Sequence, residues 1–263
     1  MLTLPIALAF LAFAVDTPAV RLELAEVKQR LAAAAGGAPP ELSGADLSGL
    51  DLSGVNFRGA NLTGARLPGT RLVGANLFSS DLTDAVLTGA DLSRANLDGT
   101  VLRRAKLQRA NLQGASLFAT IIEQADLSEA NLGGTRIIGY LRSADLSGAS
   151  LRNSNAGADP GNQSMGVMRA TFVGADLHGA DLRGANLYKA DFSHADLTGA
   201  NLQGANLENA ELVQTNLSRA DVTGARLAKA NLDGAIFTGA IGVANLKGLD
   251  GARNRDKAIF DAK

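Results

Sequence analysis

A large apolar residue recurs at every fifth position over most of the chain. From Leu47 to Ile137 there are 19 such centres, of which 16 are Leu, and a second series of 14 runs from Phe172 to Phe237. The residue two places before the centre is Ala in 12 units of the first series, with Thr, Ser, Val or Leu in the others, and it is Ala in all but one unit of the second. An α-helix repeats every 3.6 residues and a strand every two, so a strict period of five predicts neither element.

A period of five fits a chain that turns a corner in every unit, with the centre and the small residue pointing inward. Gly follows the centre by two places in many units, as at Gly64 and Gly89, and would weaken a long helix by about 1 kcal/mol each. A narrow interior accepts one large side chain per unit only if its inward neighbour is small. The pattern therefore predicts an all-β solenoid.

Runs such as Ala175-Asp176-Leu177 and Ala185-Asn186-Leu187 resemble the A(D/N)LXX motif of the pentapeptide-repeat family. The resemblance covers roughly residues 41–151 and 166–248. It implies a right-handed quadrilateral β-helix in which four units complete one square coil, so that residues 20 apart stack. With a rise of ~4.8 Å per coil, about nine or ten coils would form a rod about 45 Å long.

One residue is missing from the register between Ile137 and Leu141, and the centres then continue in a shifted phase. Residues 152–166 contain no centres and carry the turn signal Asp159-Pro160-Gly161, after which Phe172 restores the original phase. We therefore predict a single β-helix over residues 41–248, interrupted by a loop at about 152–166. A neutral insertion is favoured over a functional loop.

The first 15 residues are apolar and carry no charged side chain, and small residues flank Phe13 as they do before a signal-peptidase site. We predict a signal peptide over residues 1–14, and hence a periplasmic or secreted protein, although no Lys or Arg precedes the apolar run. The alternatives are a cap on the solenoid and a cytoplasmic protein. A stable membrane span is not expected, because Asp16 ends the run short of the roughly 20 residues needed.

Residues 15–40 are predicted to form an N-terminal helix and cap. The helix covers residues 18–35 and ends at Gly36-Gly37. Its apolar stripe comprises Val20, Leu24, Val27, Leu31 and Ala34. Docking of this stripe on the open end of the solenoid is favoured over a coiled-coil dimer.

The tail, residues 249–263, breaks the five-residue period. Its Ala258, Ile259 and Phe260 are predicted to fold back as a C-terminal cap. The alternative, which the resemblance implies for some family members, is an end-to-end homodimer through this surface.

One edge of the predicted solenoid carries apolar residues at outward positions, which indicates an interaction site for a protein partner. Cover by the 152–166 loop or by the N-terminal helix is the alternative. The predicted residues are Phe78, Val101, Phe118, Ile121 and Ile138.

The charge balance and the sequence motifs argue against nucleic-acid binding, metal binding and catalysis. There are 25 basic and 26 acidic residues, a balance that favours neither nucleic-acid binding nor an acidic mimic of DNA. There is no Cys, and His178 and His194 are 16 residues apart, so they do not stack. No phosphate loop, zinc spacing or nucleophile motif occurs. We predict no catalytic residue, no metal and no cofactor.

The sequence therefore favours a non-enzymatic, exported scaffold that binds another protein through its β-helix surface. Two alternatives remain at this point. One is a DNA-mimicking protein that binds gyrase and protects the topoisomerase, an activity that the resemblance implies for part of the family. The other is a structural rod associated with the cell envelope.

Overall fold

A computed structural model describes residues 21–33, 38–158 and 169–262. The architecture is the predicted all-β solenoid, a right-handed quadrilateral β-helix. All 19 centres of the first series and all 14 of the second are at most 1% exposed. The predicted period thus identifies the inward side chains throughout both series.

Four flat walls surround the apolar lumen, and each wall is a column of residues that precede the centres. We call these residues rungs. Wall 1 starts at Glu41, wall 3 at Asp51 and wall 4 at Asn56, and each continues one coil later through parallel bridges. Wall 2 starts at Arg21, which bridges Asp46, and continues in the same way. Residues 20 apart stack as predicted, for example Asp51–Arg71–Asp91 and Asn56–Asn76–Asn96.

Backbone hydrogen bonds join each coil to the next. The N–H of Leu47 donates to the carbonyl of Arg66 at 2.7 Å, and the N–H of Arg66 donates back to the carbonyl of Ala45 at 2.8 Å. The rung Asp or Asn adds a local bond, since Ser53 N–H donates to Asp51 Oδ1 at 3.1 Å. This turn-forming bond explains why Asp and Asn occupy the rung position so often.

Regular elements are few because the chain turns at every unit. The α-helix α1 spans Leu24–Ala33, and the parallel strands β1 and β2 span Ser116–Ile121 and Arg136–Tyr140. Helix α1 begins later than predicted, since the described residues 21–23 that precede it are not helical, and it continues to the last described residue before the gap at 34–37. Val27 is buried in the core, and Leu24 and Leu31 pack against it, whereas Val20 and Ala34 lie outside the described residues.

The interruption begins later than the sequence predicts. Residues 152–158 continue the coil, with Ser154 and Ala156 buried in the lumen and Ala156 N–H bonded to Asn186 at 2.8 Å. The prediction of a loop from 152 was therefore wrong at its start, because small inward residues replace the large centre there. The remainder of the predicted loop, residues 159–166, lies outside the described residues, and so does the predicted signal peptide at 1–14.

The last coil winds with six residues per side instead of five. Its rungs are Ile241, Lys247, Arg253 and Ile259, and between them lie three short 3-10 helices, Val243–Asn245, Leu249–Gly251 and Arg255–Lys257. The tail therefore continues the winding and does not fold back as predicted. Phe260 still contributes to the end of the core, stacking on Phe237 with ring centres 4.9 Å apart.

Candidate protein-binding edge

The predicted outward apolar residues meet at the corner where wall 4 turns into wall 1. Val101 and Ile121 are consecutive rungs of wall 1, and Tyr140 is the next rung above them. Phe78 and Phe118 directly follow centres of wall 4, two coils apart. We call Phe78, Val101, Phe118, Ile121 and Tyr140 the apolar edge.

Tyr140 reaches the edge because one coil is a residue short. β1 and β2 pair in register at Phe118 and Ile138, but the next pair is Thr120 with Gly139, so Ala119 has no opposite residue. A Cβ on Gly139 would lie 2.4 Å from the Thr120 carbonyl oxygen, so only Gly fits this close approach. The shortened corner places Tyr140 in the rung position, where it is 53% exposed.

Ile138 does not belong to the exposed edge. The sequence predicts that it points outward, but the side chain is only 2% exposed. Its partner in the coil below, Phe118, is partly exposed, but the coil is one residue short directly after Ile138, so Ile138 lies beside a shortened corner. The other four predicted residues, Phe78, Val101, Phe118 and Ile121, are all partly exposed.

Two arginines stack on the aromatic rings of the edge, which the sequence did not reveal. The guanidinium carbon of Arg58 lies 4.4 Å from the ring centre of Phe78, and that of Arg136 lies 4.4 Å from the ring centre of Phe118. Such cation–π pairs contribute about 0.5–1 kcal/mol at exposed sites. They give the edge a mixed aromatic and cationic surface, with Asp98 between the two rings accepting a bond from Phe118 N–H at 2.9 Å.

Three arginines near the edge, Arg103, Arg104 and Arg109, form ion pairs between coils. Arg103 contacts Glu123 at 3.1 Å, and Arg109 contacts Glu129, 20 residues later, at 3.2 Å. Arg104 donates two hydrogen bonds to Asp84, which lower the pKa of that carboxyl and raise the pKa of Arg104. These three arginines are therefore neutralised by acidic partners and do not form an unpaired basic patch.

The two histidines lie on different columns and are both exposed. His178 Nδ1 lies 2.8 Å from Asp176 Oδ1, and this hydrogen bond is the foremost cause of a raised pKa for His178. The residues that the structure describes contain no group of His, Asp and Glu arranged to hold a metal ion. Over the same ranges, no helix combines the length and apolar character needed to cross a bilayer.

Wall 2 carries a feature that the sequence analysis missed. Asp126, Asp145, Asp176 and Asp196 are four successive rungs, which we call the acidic ladder. Their spacings of 19, 31 and 20 residues conceal the stack, because the short coil and the interruption both fall within it.

Comparison with known proteins gives the chain its family. The family described as "Pentapeptide repeats (8 copies)" matches residues 41–77, 80–117, 168–204 and 200–239. No curated protein matches the sequence significantly.

Among solved structures, HetL, a pentapeptide repeat protein involved in heterocyst differentiation regulation from the cyanobacterium Nostoc sp. strain PCC 7120, is 33% identical with a TM-score of 0.67, over 90% of this chain and 99% of HetL. A pentapeptide repeat protein from the Arabidopsis thaliana thylakoid lumen is 32% identical over 43% of this chain and 69% of its own, with a TM-score of 0.29. QnrB1, a plasmid-mediated fluoroquinolone resistance protein, is 17% identical over 78% and 92% of the two chains, with a TM-score of 0.40. The chain therefore belongs to the pentapeptide-repeat family.

Proposed function

We propose that the protein is a non-catalytic, exported scaffold that binds another protein along the apolar edge. One observation carries this proposal: three successive rungs of wall 1, Val101, Ile121 and Tyr140, are apolar or aromatic. The rungs below and above them are the polar residues Asp81 and Thr171. A contiguous apolar strip bounded by polar residues is typical of an interaction site.

The chemistry of the edge favours a protein partner. Tyr and Arg are enriched among the residues that dominate protein–protein binding energy, and this edge carries Tyr140 and two Arg–Phe stacks. The hydrogen-bonded coils hold these side chains on a preformed surface, so little conformational entropy is lost when a partner binds.

A photo-crosslinking amino acid at position 140, introduced in the native cell, tests this proposal. We expect one discrete protein adduct, which disappears when Phe118→Asp and Ile121→Asp are added. The same crosslinker at Gln113, exposed on wall 3, is the matched control and should give no such adduct. Thermal unfolding must show that the double variant still folds. An adduct that survives the double variant, or appears equally at position 113, would contradict the proposal.

Export rests on the apolar sequence of residues 1–15. Sequencing the N-terminus of the protein purified from its own cell tests it directly. A chain that begins after Ala14 supports export, whereas a chain that retains Met1 in the cytosol contradicts it.

The acidic ladder favours a second candidate, a mimic of duplex DNA. The ladder is only four rungs long, since Lys106 precedes it and Asn216 follows it on wall 2. A gyrase supercoiling assay separates the two candidates: inhibition or protection that is lost in Asp145→Asn with Asp176→Asn would favour mimicry over the scaffold.

A further inference from the structure

A cavity of about 620 Å³ opens at the C-terminal end of the lumen. Phe237, Val243, Leu246, Leu249 and Phe260 provide its apolar lining. Phe237 belongs to the last five-residue coil and is 1% exposed, so the floor of the cavity is the end of the core itself. We call this cavity the C-terminal mouth.

The six-residue sides create the mouth. In the other coils a large apolar residue follows every rung except Asn155 and fills the lumen, but in the last coil Gly242, Gly248 and Asn254 follow the rungs. All three have positive φ, and a Cβ on Gly242 would lie 2.1 Å from Thr223 Oγ1. The large inward side chain is therefore missing on three of the four sides, and only Phe260 occupies the fourth.

The C-terminal end has no described counterpart of α1 that covers the core. Within residues 241–262 the only helices are the three short 3-10 turns of the last coil itself. Val243, Leu246, Leu249 and Phe260 consequently remain partly exposed while packing against the core. The mouth is thus a concave apolar surface that stays open in the described chain.

The rim of the mouth carries an excess of one negative charge. Arg255 is paired with Asp250, at 2.5 Å between Nη1 and Oδ1. Asp261 also lines the mouth, and both of its carboxylate oxygens accept the Gly239 N–H at 3.0 Å. Among the described residues no cation pairs with Asp261, so its charge is available at the rim.

We infer that the C-terminal mouth binds a compact apolar molecule that carries a protonated amine. The volume lies within the roughly 300–1,000 Å³ of small-molecule sites, which are mainly apolar with a few oriented polar groups. The apolar body occupies the space that inward side chains fill in the other coils. The ammonium group lies at the rim, where the Asp261 carboxylate offers both charge and hydrogen-bond acceptors.

Calorimetric titration with three probes of the same body tests this inference: adamantylamine, adamantanol and adamantane carboxylate. We expect the amine to bind about three- to tenfold more tightly than the alcohol, and the carboxylate to bind most weakly. Equal affinities for all three, or no binding of any, would overturn the inference.

Paired variants locate the site. Leu249→Gln should weaken all three probes by at least about tenfold through loss of apolar contact, whereas Leu31→Gln, at the partly buried stripe of α1, should leave them unchanged. Asp261→Asn should abolish only the preference for the amine, and Asp256→Asn, exposed in the same coil, should not.

Sedimentation analysis of the wild-type chain tests whether a second copy of the chain occupies the mouth instead. If the inference is right, the amine binds without any change in the mass of the protein. If the chain self-associates, Leu249→Gln dissociates it and the amine does not bind, then a second copy is the occupant of the mouth and the inference is wrong.

Discussion

The two ends of the solenoid terminate the same apolar lumen by different means. At the N-terminal end, Leu22 and Val27 join the core cluster, and the Leu22 N–H bonds to the carbonyl of Asp46 at 3.0 Å. Leu42 and Leu47 are fully buried there although no complete coil precedes them. At the C-terminal end, the last coil widens to six residues per side, and its apolar residues stay partly exposed.

This difference shows that the last coil of a solenoid can complete the backbone hydrogen bonds of its neighbour without covering the apolar surface at the end of the core. Each coil is stabilised by its neighbours, so an end coil lacks half of its contacts unless something replaces them. Helix α1 replaces them with side chains that complete the core. The six-residue coil instead closes the backbone ladder with its rungs while leaving a concave apolar surface open.

The largest loss of stability is expected for a substitution in the interior coils, which have neighbours on both sides. Leu107→Asp places a carboxylate in the dry lumen without a partner, and should lower the free energy of unfolding by more than about 4 kcal/mol. Denaturant titration measures the loss. Gln113→Asp, at an exposed position of the next unit, should change it by less than about 0.5 kcal/mol. Similar values for the two variants would contradict the inward assignment of the centres.

The N-terminal end should show a smaller and localised effect. Val27→Asp removes the buried contact of α1 and should cost about 3 kcal/mol, because the carboxylate is expelled by undocking of the helix. Amide exchange should then accelerate at Leu42 and Leu47 but not at Leu107. Lys28→Asp, on the exposed side of α1, is the matched control. If exchange accelerated along the whole solenoid, α1 would be more than a local cap.

The C-terminal end depends on Gly for a reason that the five-residue corners do not share. Gly242→Ala forces a Cβ into Thr223, including its backbone Cα at 2.7 Å, and should cost at least about 2 kcal/mol. Gly74→Ala meets nothing within 4 Å and should cost about 1 kcal/mol for its positive φ alone. Equal changes in the denaturation midpoint would contradict the close packing of the six-residue corner.

Acid should weaken both ends by the same small amount. A hydrogen bond from the Ser48 side chain foremost lowers the pKa of Asp46, and one from the Thr223 side chain lowers the pKa of Asp221. A carboxyl with a lowered folded pKa stabilises the fold above its unfolded value of 3.8, and this contribution is lost as the pH falls through the folded pKa. Asp46→Asn and Asp221→Asn should each remove less than about 0.5 kcal/mol at pH 6 and flatten the acid limb. A clearly larger loss of unfolding free energy in one of the two variants would contradict the expectation that acid weakens both ends equally.

The sequence predicts the walls, the inward centres and four residues of the apolar edge, because a period repeated over 33 units averages out local exceptions. Its failures lie where that period changes. Tyr140 joins the edge through a one-residue deletion, and Ile138, which directly precedes the shortened corner, is buried.

The C-terminal coil shows the same limit. Ile241, Lys247, Arg253 and Ile259 are spaced by six, but three intervals are too few to stand out beside the long five-residue series. The stacking of Arg58 and Arg136 depends on side-chain conformation, which no spacing encodes.

Residue-resolved hydrogen exchange of the wild-type chain tests the contrast between the ends most directly. The amides of Leu47 and Phe237 make equivalent bonds to the next coil, each at 2.7 Å. We predict that Leu47, beneath the helix, exchanges nearly as slowly as Leu107, and that Phe237, beside the open mouth, exchanges at least about tenfold faster. Equal protection at the two ends, or faster exchange at Leu47, would contradict the account.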